Sequence, residues 1–372
     1  MRFTALLENI KKAFLIAEKG LGKSNNLPVL SSFLIEVNKS EINISSTNLE
    51  LGIKTSFSGK VEKEGKIVVA ARPLIAFLSQ LNEPKIEVIS DEKKLKISTE
   101  SYQAEFQSYE TEEFPIIPEV KDNKILKMES PLLAAALEQV IIASSRSDFR
   151  PELASLFLFL DQSLGLKLTA TDTFRLAEKT LNFEDFQPLT KNDFKCLIPL
   201  KTAEEIIRIA KEKLEPVEIS VDPNQIQFSW KETKLVSRLL EGEFPDYDSV
   251  VPKSFEAQAI VSYGKLLESL KITGIFASKL NDVKLNLDIK AKKISLSASD
   301  SFIGQNQGKI ELDSAKGQDR EIIFNYRYLL DSLAVLDPKD KIFIGFTTAE
   351  KPALIRQEND SSYFYILMPL RI

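Results

Sequence analysis

The sequence contains no histidine and a single cysteine, Cys196. Without histidine the chain cannot build a Ser-His-Asp or Cys-His nucleophile system, or a zinc site with histidine ligands. One cysteine allows neither an intrachain disulfide nor a cysteine cluster around a metal, and a lone thiol fits a reducing cytoplasm. We therefore expect no metal and no cofactor. Cys196 lies in an apolar run and is interpreted as a buried core thiol, the alternative being a nucleophile.

Long apolar runs and low-complexity segments are also missing. No stretch approaches the roughly 18 consecutive apolar residues of a transmembrane helix. The N-terminal segment carries charges every few positions and lacks the apolar core and cleavage site of a signal peptide. The 13 glycines and 16 prolines are scattered, so no flexible linker is predicted. These absences predict a cytoplasmic protein.

Net charge argues against one class of nucleic-acid-binding protein. The 372 residues include 49 Lys+Arg and 54 Asp+Glu, which gives a net charge of −5. This balance argues against a uniformly basic coat protein but does not exclude a locally basic face. The length suggests two to four domains of about 100–200 residues each.

Helical spacing of apolar residues recurs at a long interval. One set of three helices is predicted in segments that start roughly 130 residues apart. These segments are 4–20, 131–144 and 263–276. A second set has the same period, and each of its members follows a β-rich run and precedes hairpin-like alternation. Its segments are 73–81, 199–214 and 326–336.

A short tripeptide supports the same period. Glu-Phe-Pro occurs at 113–115 and again at 243–245. Two sets of helices and a tripeptide with one period indicate triplication rather than ordinary alternation of helices and strands. The sequence therefore predicts an α+β fold of three repeated domains, each with two helices and several antiparallel strands. The predicted domains are residues 1–123, 124–253 and 254–372.

The polar faces of the predicted helices carry more lysine and arginine than the net charge suggests. If these faces line one surface, that surface attracts a polyanion without tight contacts. The alternative is a set of solvated helix faces with ordinary ion pairs. No helix-turn-helix, zinc-finger spacing or aromatic platform is found, so DNA binding would be independent of sequence. Trp230 is interpreted as packing within a strand-like run.

Five motifs resemble those of the bacterial DNA polymerase III sliding clamp family, the beta subunit. The segment 171–177 resembles the family signature T-D-x-x-R-L-A. The other four agree in order and spacing, and the match spans all three predicted domains. They are Leu27-Pro28-Val29-Leu30, Phe244-Pro245-Asp246-Tyr247 with Pro252, Phe324-Asn325 with Tyr328, and Met368-Pro369-Leu370-Arg371-Ile372.

The resemblance implies a DNA clamp fold and a mechanical function. Family members are head-to-tail homodimers whose six domains form a ring around double-stranded DNA, with helices lining the hole. A clamp loader driven by ATP places the ring on DNA. The ring tethers the replicative polymerase and other proteins through short linear peptides, which bind between the second and third domains. The chain is therefore expected to be a non-catalytic processivity factor in DNA replication.

Carried over by position, the resemblance also implies a peptide-binding pocket. Its residues are Leu153, Thr171, Thr173, Phe174, Arg175, Leu176, Pro245, Val250, Leu280, Asn325, Tyr328, Pro352, Ile366, Leu367, Met368, Pro369 and Leu370. Family members often have Gly or Ser at Thr173, His or Tyr at Phe174, and an aromatic residue at Leu280. The groove stays apolar, but its peptide preference is expected to differ. Asp172 is interpreted as a structural partner of Arg175 in a turn.

The resemblance further points to DNA contacts and to a dimer seam. The DNA candidates lie on the inner helices and in nearby loops. They are Lys11, Lys12, Lys23, Arg72, Arg146, Arg150, Lys201 and Arg208. The seam is expected to pair edge strands of the first and third domains. Phe106, Ile275 and Phe276 are its apolar candidates.

Two rival functions belong to other classes. A metal-dependent nuclease would need a carboxylate cluster, for which Asp172, Asp246, Asp248 and Asp300 are available. These residues fall in three separate loops without D-x-D or E-x-K spacing, which argues against a shared metal site. A monomeric peptide-binding scaffold would share the pocket but lack the seam, and its mass in solution would reveal it.

Overall fold

The computed structural model describes residues 1–22, 27–39, 41–91, 93–120, 123–147 and 149–371. Within them the chain is an α+β protein in which short helices pack on antiparallel strands. The α-helices are α1 (Leu7–Glu18), α2 (Ala71–Gln80), α3 (Ser130–Ile141), α4 (Leu200–Glu212), α5 (Tyr263–Gly274) and α6 (Tyr326–Ala334). None of the helices in these ranges is long and apolar enough to cross a membrane.

The strands are short, and several alternate buried and accessible side chains, as half-buried strands do. Those before residue 190 are β1 (Arg2–Leu6), β2 (Ser32–Val37), β3 (Ile42–Thr47), β4 (Leu51–Phe57), β5 (Lys60–Lys63), β6 (Gly65–Ala70), β7 (Lys85–Ser90), β8 (Lys94–Ser98), β9 (Gln103–Tyr109), β10 (Lys124–Met128), β11 (Ser155–Asp161), β12 (Gly165–Thr171), β13 (Arg175–Leu181) and β14 (Phe186–Pro188). The later ones are β15 (Phe194–Pro199), β16 (Val217–Asp222), β17 (Gln225–Ser229), β18 (Thr233–Arg238), β19 (Ala257–Ser262), β20 (Asp282–Asp288), β21 (Lys293–Asp300), β22 (Gly304–Glu311), β23 (Ser314–Gly317), β24 (Arg320–Asn325), β25 (Lys341–Phe346), β26 (Ala353–Gln357) and β27 (Tyr363–Leu367).

The first compact unit comprises Met1–Pro131, Phe186–Thr190 and Glu205–Leu239. It contains a 14-stranded antiparallel sheet in the order β14-β10-β16-β17-β18-β4-β3-β2-β6-β9-β8-β7-β1-β5. Strand β18 pairs with β4, and the hydroxyls of Thr55 and Thr233 lie 3.0 Å apart across this pair. The sheet is thus continuous between the first and second predicted domains.

The second compact unit comprises Leu132–Asp185, Lys191–Glu204 and Leu240–Ile372. Its larger sheet has nine strands in the order β15-β11-β12-β13-β27-β26-β25-β19-β23, and a smaller one has the order β22-β21-β20-β24. Strand β27, the last of the chain, pairs with β13 and places Leu367 opposite Arg175. This sheet joins the second and third predicted domains, whose boundaries near residues 123 and 253 stay predictions.

The helix predictions are confirmed to within a few residues, with one correction. The first helix begins at Leu7, so residues 4–6, which were predicted to be helical, belong to β1. Their side chains alternate in burial and the strand pairs with β7 and β5. Sheet pairing therefore decided the conformation of residues that also fit a helical period.

Two single residues occupy the places predicted from sequence. Cys196 lies buried in β15, and burial raises the pKa of its thiol. Trp230 follows β17 directly, is 5% exposed, and donates a hydrogen bond of 2.8 Å from its indole nitrogen to the Ser130 hydroxyl. Both side chains pack in the core. The raised pKa of Cys196 means that its thiol does not readily form the reactive thiolate.

Candidate functional site

The motif Thr-Asp-Thr-Phe-Arg forms a tight turn between β12 and β13. The Thr171 hydroxyl donates to the Arg175 carbonyl at 2.7 Å and accepts from the Thr173 amide at 3.1 Å. The Asp172 carboxylate accepts from the amides of Phe174 and Arg175, both at 2.9 Å. These bonds hold Thr173 at φ 77° and leave Phe174 60% exposed. The turn therefore projects an aromatic side chain from the end of a rigid hairpin.

Arg175 is the polar centre of the candidate site. Its Nε donates to Asp172 at 2.9 Å, one terminal nitrogen donates to Asp331, and the guanidinium lies 4.2 Å from the ring centre of Tyr328. The same nitrogen reaches the Tyr365 hydroxyl at 3.5 Å. The Asp172–Arg175 pair confirms the structural role predicted for Asp172. Sequence analysis missed Asp331 and Tyr365, which no motif connects to this turn.

Burial and neighbouring groups shift the pKa values of Arg175 and of the tyrosines around it. Burial alone would lower the pKa of Arg175, but Tyr365, Asp331 and Asp172 raise it above its ordinary value. Burial raises the pKa of Tyr365 and of Tyr328. Near neutral pH the site therefore holds one fixed cation and two neutral phenols.

The end of the chain lies beside this turn. The Met368 amide donates to the Phe174 carbonyl at 2.8 Å, which continues the β13–β27 ladder past Leu367. Ile366 and Leu367 are buried in β27, and Met368 and the two residues after it are half-buried. Strand β26 places Ala353, and with it Pro352, next to Leu367. The predicted turn residues and the predicted C-terminal residues are thus brought together.

Helix α6 supplies the next part of the site. Asn325 ends β24 and caps α6, with its side chain accepting from the Arg327 amide at 3.0 Å. This start of the helix places Tyr328 in its first turn, where it meets Arg175. Leu280 is 61% exposed, and the adjacent Asn281 carbonyl accepts from the Tyr326 amide. Leu280 therefore lies near the N-terminal end of α6.

The remaining predicted pocket residues belong to segments that rest on the β11–β12–β13 part of the same sheet. Leu153 is 3% exposed and precedes β11. Pro245 and Val250 lie in the segment 241–250, where Phe244 stacks on Phe157 of β11 at 4.9 Å. Leu176 and Thr171 are buried in the hairpin itself. The role of these residues as walls of a pocket stays a prediction.

The turn of the candidate site recurs in the first compact unit. In the segment 47–51, the Thr47 hydroxyl donates to the Leu51 carbonyl, and Asn48 accepts from the two amides that follow Leu49. Leu49 has φ 77°, the same value as Thr173. The amide of Arg238 in β18 donates to the Glu50 carbonyl, as that of Met368 does to Phe174. The repeat thus extends to individual hydrogen bonds.

Most of the predicted DNA-contacting residues have accessible side chains, and two of them form ion pairs with nearby glutamates. Lys12, Arg72, Arg146 and Lys201 are exposed. Arg150 and Arg208 are exposed and pair with Glu152 at 3.0 Å and Glu205 at 2.7 Å. Lys11 is half-buried, and its amine donates to the carbonyls of Ser79 and Leu81 at the end of α2. Lys23 lies outside the described residues.

The seam candidates lie near strand edges. Phe106 in β9 packs against Phe77 with ring centres 5.7 Å apart, and residues 103–107 of β9 pair with β8 alone. Ile275 follows α5 and is 63% exposed, with Phe276 half-buried beside it. Strand β22 forms the edge of the four-stranded sheet. Phe302, which was not among the seam candidates, is 94% exposed in the turn before this edge.

The described part of the chain contains no group of three or more Asp, Glu or Cys side chains placed to hold a metal ion. Asp172 is occupied by Arg175 and the turn amides. Asp300 accepts from the amides of Phe302 and Ile303 in a similar turn. These carboxylates act as turn-forming groups.

Comparison with known families decides the identity. Models of the N-terminal, central and C-terminal domains of the DNA polymerase III beta subunit match residues 1–118, 127–246 and 248–371. The chain belongs to the DNA polymerase III beta subunit family. Members of this family are sliding clamps that act in DNA replication and are not enzymes, and the chain is a DNA sliding clamp.

Relatives match along the full length of the chain. The beta sliding clamp of Bacillus subtilis is 27% identical, with 100% of both chains covered, and that of Streptococcus pneumoniae strain R6 is 26% identical, covering 97% of this chain and 96% of the relative. The crystal structure of the Bacillus subtilis clamp superposes with a TM-score of 0.94 at 25% identity, covering 100% and 99% of the chains. The Thermotoga maritima beta subunit gives 0.91 at 27% identity, with the same coverage. The clamp fold predicted from the motifs is confirmed.

Proposed function

We propose that two copies of this chain close head to tail into a ring around double-stranded DNA, in the cytoplasm, and tether a replicative polymerase by short peptides. DNA slides inside the ring and cannot leave sideways. Mixed lysine and glutamate side chains on the helices suit this function, because weak attraction centres the duplex without stopping it. The peptide site raises the local concentration of polymerase at the primer end.

The observation that carries the peptide site is the junction of the turn 171–175 with the end of the chain. Half-buried Met368 and exposed Phe174 flank a backbone hydrogen bond, and the Arg175 guanidinium next to Phe174 in the chain lies over the ring of Tyr328. Methionine adapts to varied apolar partners, and an aromatic side chain offers a large contact area. A short peptide with apolar anchors and one polar group matches this arrangement.

A closed ring predicts that the protein stays on DNA only when the DNA has no free ends. Protein loaded onto a nicked circular plasmid by a clamp loader with ATP should stay bound through gel filtration. Linearising the plasmid should release it within minutes, since open ends allow the ring to slide off. A linear template with both ends blocked by bulky proteins is the matched control and should retain the ring. Equal retention on open linear DNA would contradict the ring.

The peptide site predicts a large effect of Met368→Ala. Truncating this side chain should weaken binding of a polymerase-derived peptide at least about tenfold, as expected for an anchor residue. Deleting the last five residues should abolish binding. Arg371→Ala is the matched control, because Arg371 is 79% exposed and forms only a 3.8 Å surface pair. Fluorescence anisotropy with a labelled peptide measures both, and unchanged affinity of Met368→Ala would remove the assignment.

A further inference from the structure

In the second compact unit, a tyrosine anchors the segment 241–250 on the sheet. This segment, called the second connector below, places Tyr247 over β12 and β13. The Tyr247 hydroxyl donates to the Glu178 carboxylate and lies 3.2 Å from the Thr169 hydroxyl. Thr169 and Glu178 are directly opposite each other in the ladder. The phenol thus fills the space between the connector and the sheet, and it satisfies both polar groups below it.

The first compact unit has the same arrangement with a different residue. Its first connector, residues 111–119, carries the first copy of Glu-Phe-Pro and has Ile117 at the place of Tyr247 in the repeat. Ser45 and Lys54 face each other in the β3–β4 ladder, as Thr169 and Glu178 do in β12–β13. A Cβ added at Gly52 would lie 2.6 Å from the Ile117 side chain, so Ile117 rests on this face of β4. The isoleucine has no ring to cover Ser45 and no hydroxyl to bond it.

A cavity of about 470 Å³ lies under the first connector. This volume falls within the range of small-molecule sites. Its apolar walls include Leu34, Phe114, Ile117 and Val236, and its floor includes Ser45 and Lys54. Ser45 is 4% exposed, and its hydroxyl makes no hydrogen bond within the described ranges. The cavity therefore combines room for a ring with a polar floor.

Three lysines and three glutamates line the cavity, and the ion pairs among them do not include Lys54. Lys54 stands directly opposite Lys234 on β18, and like charges in this position repel. Lys234 pairs with Glu119 at 3.4 Å. Lys66 pairs with Glu112 at 3.5 Å and stands opposite Glu36 in the ladder.

Lys54 differs from these lining residues because it has no ion pair in the described part of the chain. An anion beside it would relieve its repulsion with Lys234.

We propose that this cavity binds a small aromatic carboxylate. The ring lies under the connector, against Leu34 and Ile117, where the second unit holds the ring of Tyr247. The carboxylate accepts from Lys54 and from the Ser45 hydroxyl, which replace Glu178 and Thr169 of the second unit. The proposal concerns the first compact unit alone and does not depend on the peptide site.

The test uses 3-phenylpropionate and the intact protein, with isothermal titration calorimetry and ligand-observed NMR. Binding is expected with a dissociation constant on the order of 1 mM, as suits a ligand of this size. Lys54→Gln should weaken binding about three- to fivefold, since a partly exposed ion pair is lost. Ile117→Tyr should abolish binding and raise the thermal midpoint, because the new ring occupies the cavity as Tyr247 does in the second unit.

Controls separate this site from surface binding and from the peptide site. Lys60→Gln removes a lysine that is 81% exposed and should leave the affinity unchanged. The neutral analogue 3-phenylpropanamide should bind wild type and Lys54→Gln equally and more weakly than the acid. Affinity for the polymerase peptide should be unchanged by Lys54→Gln. The proposal is overturned if the acid and the amide bind equally, or if the folded Ile117→Tyr protein still binds the acid.

Discussion

Arg175 shows how one side chain can organise a site through its shape. Its guanidinium bonds Asp172 and Asp331 at once and lies over the ring of Tyr328. Lysine keeps the charge but cannot reproduce this planar fork. We expect Arg175→Lys to reduce the free energy of unfolding by about 1–3 kcal/mol, because a half-buried carboxylate loses its partner. Urea denaturation of the folded protein measures this loss.

Arg208→Lys is the matched control for that prediction. Arg208 is 61% exposed on its side chain and bonds Glu205 on the helix surface, where an ion pair contributes little. Its replacement should leave stability within experimental error. Equal stability of Arg175→Lys and wild type would show that charge alone holds the site together.

At the residue scale the sequence could predict only local partners. The Asp172–Arg175 pair lies within one motif and was predicted from it. Asp331 is 156 positions from Arg175 and Tyr365 is 190 positions away. Both meet Arg175 because β27 pairs with β13 and α6 packs beside β27. No spacing in the sequence encodes this meeting, which depends on the tertiary arrangement of the sheet.

The hairpin turn is the element that recurs most faithfully. Leu49 and Thr173 both adopt φ 77°, a region that costs an ordinary residue about 1–2 kcal/mol. Glycine is free of this cost. The turn is kept in this chain because the Thr171 and Asp172 side chains bond its amides.

This conformation predicts that Thr173→Gly stabilises the protein. The gain should be about 0.5–1 kcal/mol, since relief of the left-handed cost exceeds the entropy that glycine loses on folding. Leu49→Gly should give a similar gain in the other repeat. Thr180→Gly, within β13, is the control and should destabilise, because glycine weakens a strand interior. Urea denaturation measures all three, and a loss of stability in Thr173→Gly would show that its side chain makes a compensating contact.

The elements themselves were largely predictable from sequence. Apolar periodicity located the six α-helices of the described residues, since each places a buried stripe on a sheet. The first one was predicted to start early because residues 4–6 satisfy helical and strand periods together. Their conformation is decided by pairing with β7, which begins about eighty positions later in the chain. Such pairing is a property of the fold and not of the local pattern.

At the scale of the whole molecule, the repeats in the sequence predicted three domains but did not predict that the sheets continue from one domain to the next. The three predicted domains share helices, hairpins and turns, but the sheets run on between them through β4–β18 and β13–β27. The described residues therefore group into two compact units and not three. Strand pairing across a repeat boundary leaves no mark in the period of the sequence.

The ring itself depends on a seam between two copies of the chain. The open stretch of β9 and the edge strand β22 offer unpaired backbone groups, and Ile275 is exposed near the second edge. Exposed strand edges of this kind pair with another chain unless they are protected. Ile275→Lys should leave each copy folded, because the side chain is 63% exposed in the single chain. In the seam, the lysine would lose its hydration without gaining a partner.

We expect Ile275→Lys to weaken dimerisation about 30-fold or more, the effect of an anchor residue at an interface. Light scattering after gel filtration at micromolar concentration should then show the mass of one chain, and retention on circular DNA should disappear. Leu214→Lys, at a site 86% exposed in the first compact unit, is the control and should stay dimeric. Peptide affinity should be unchanged in both variants, because the turn 171–175 and β27 belong to one copy. A dimeric, DNA-retained Ile275→Lys protein would place the seam elsewhere.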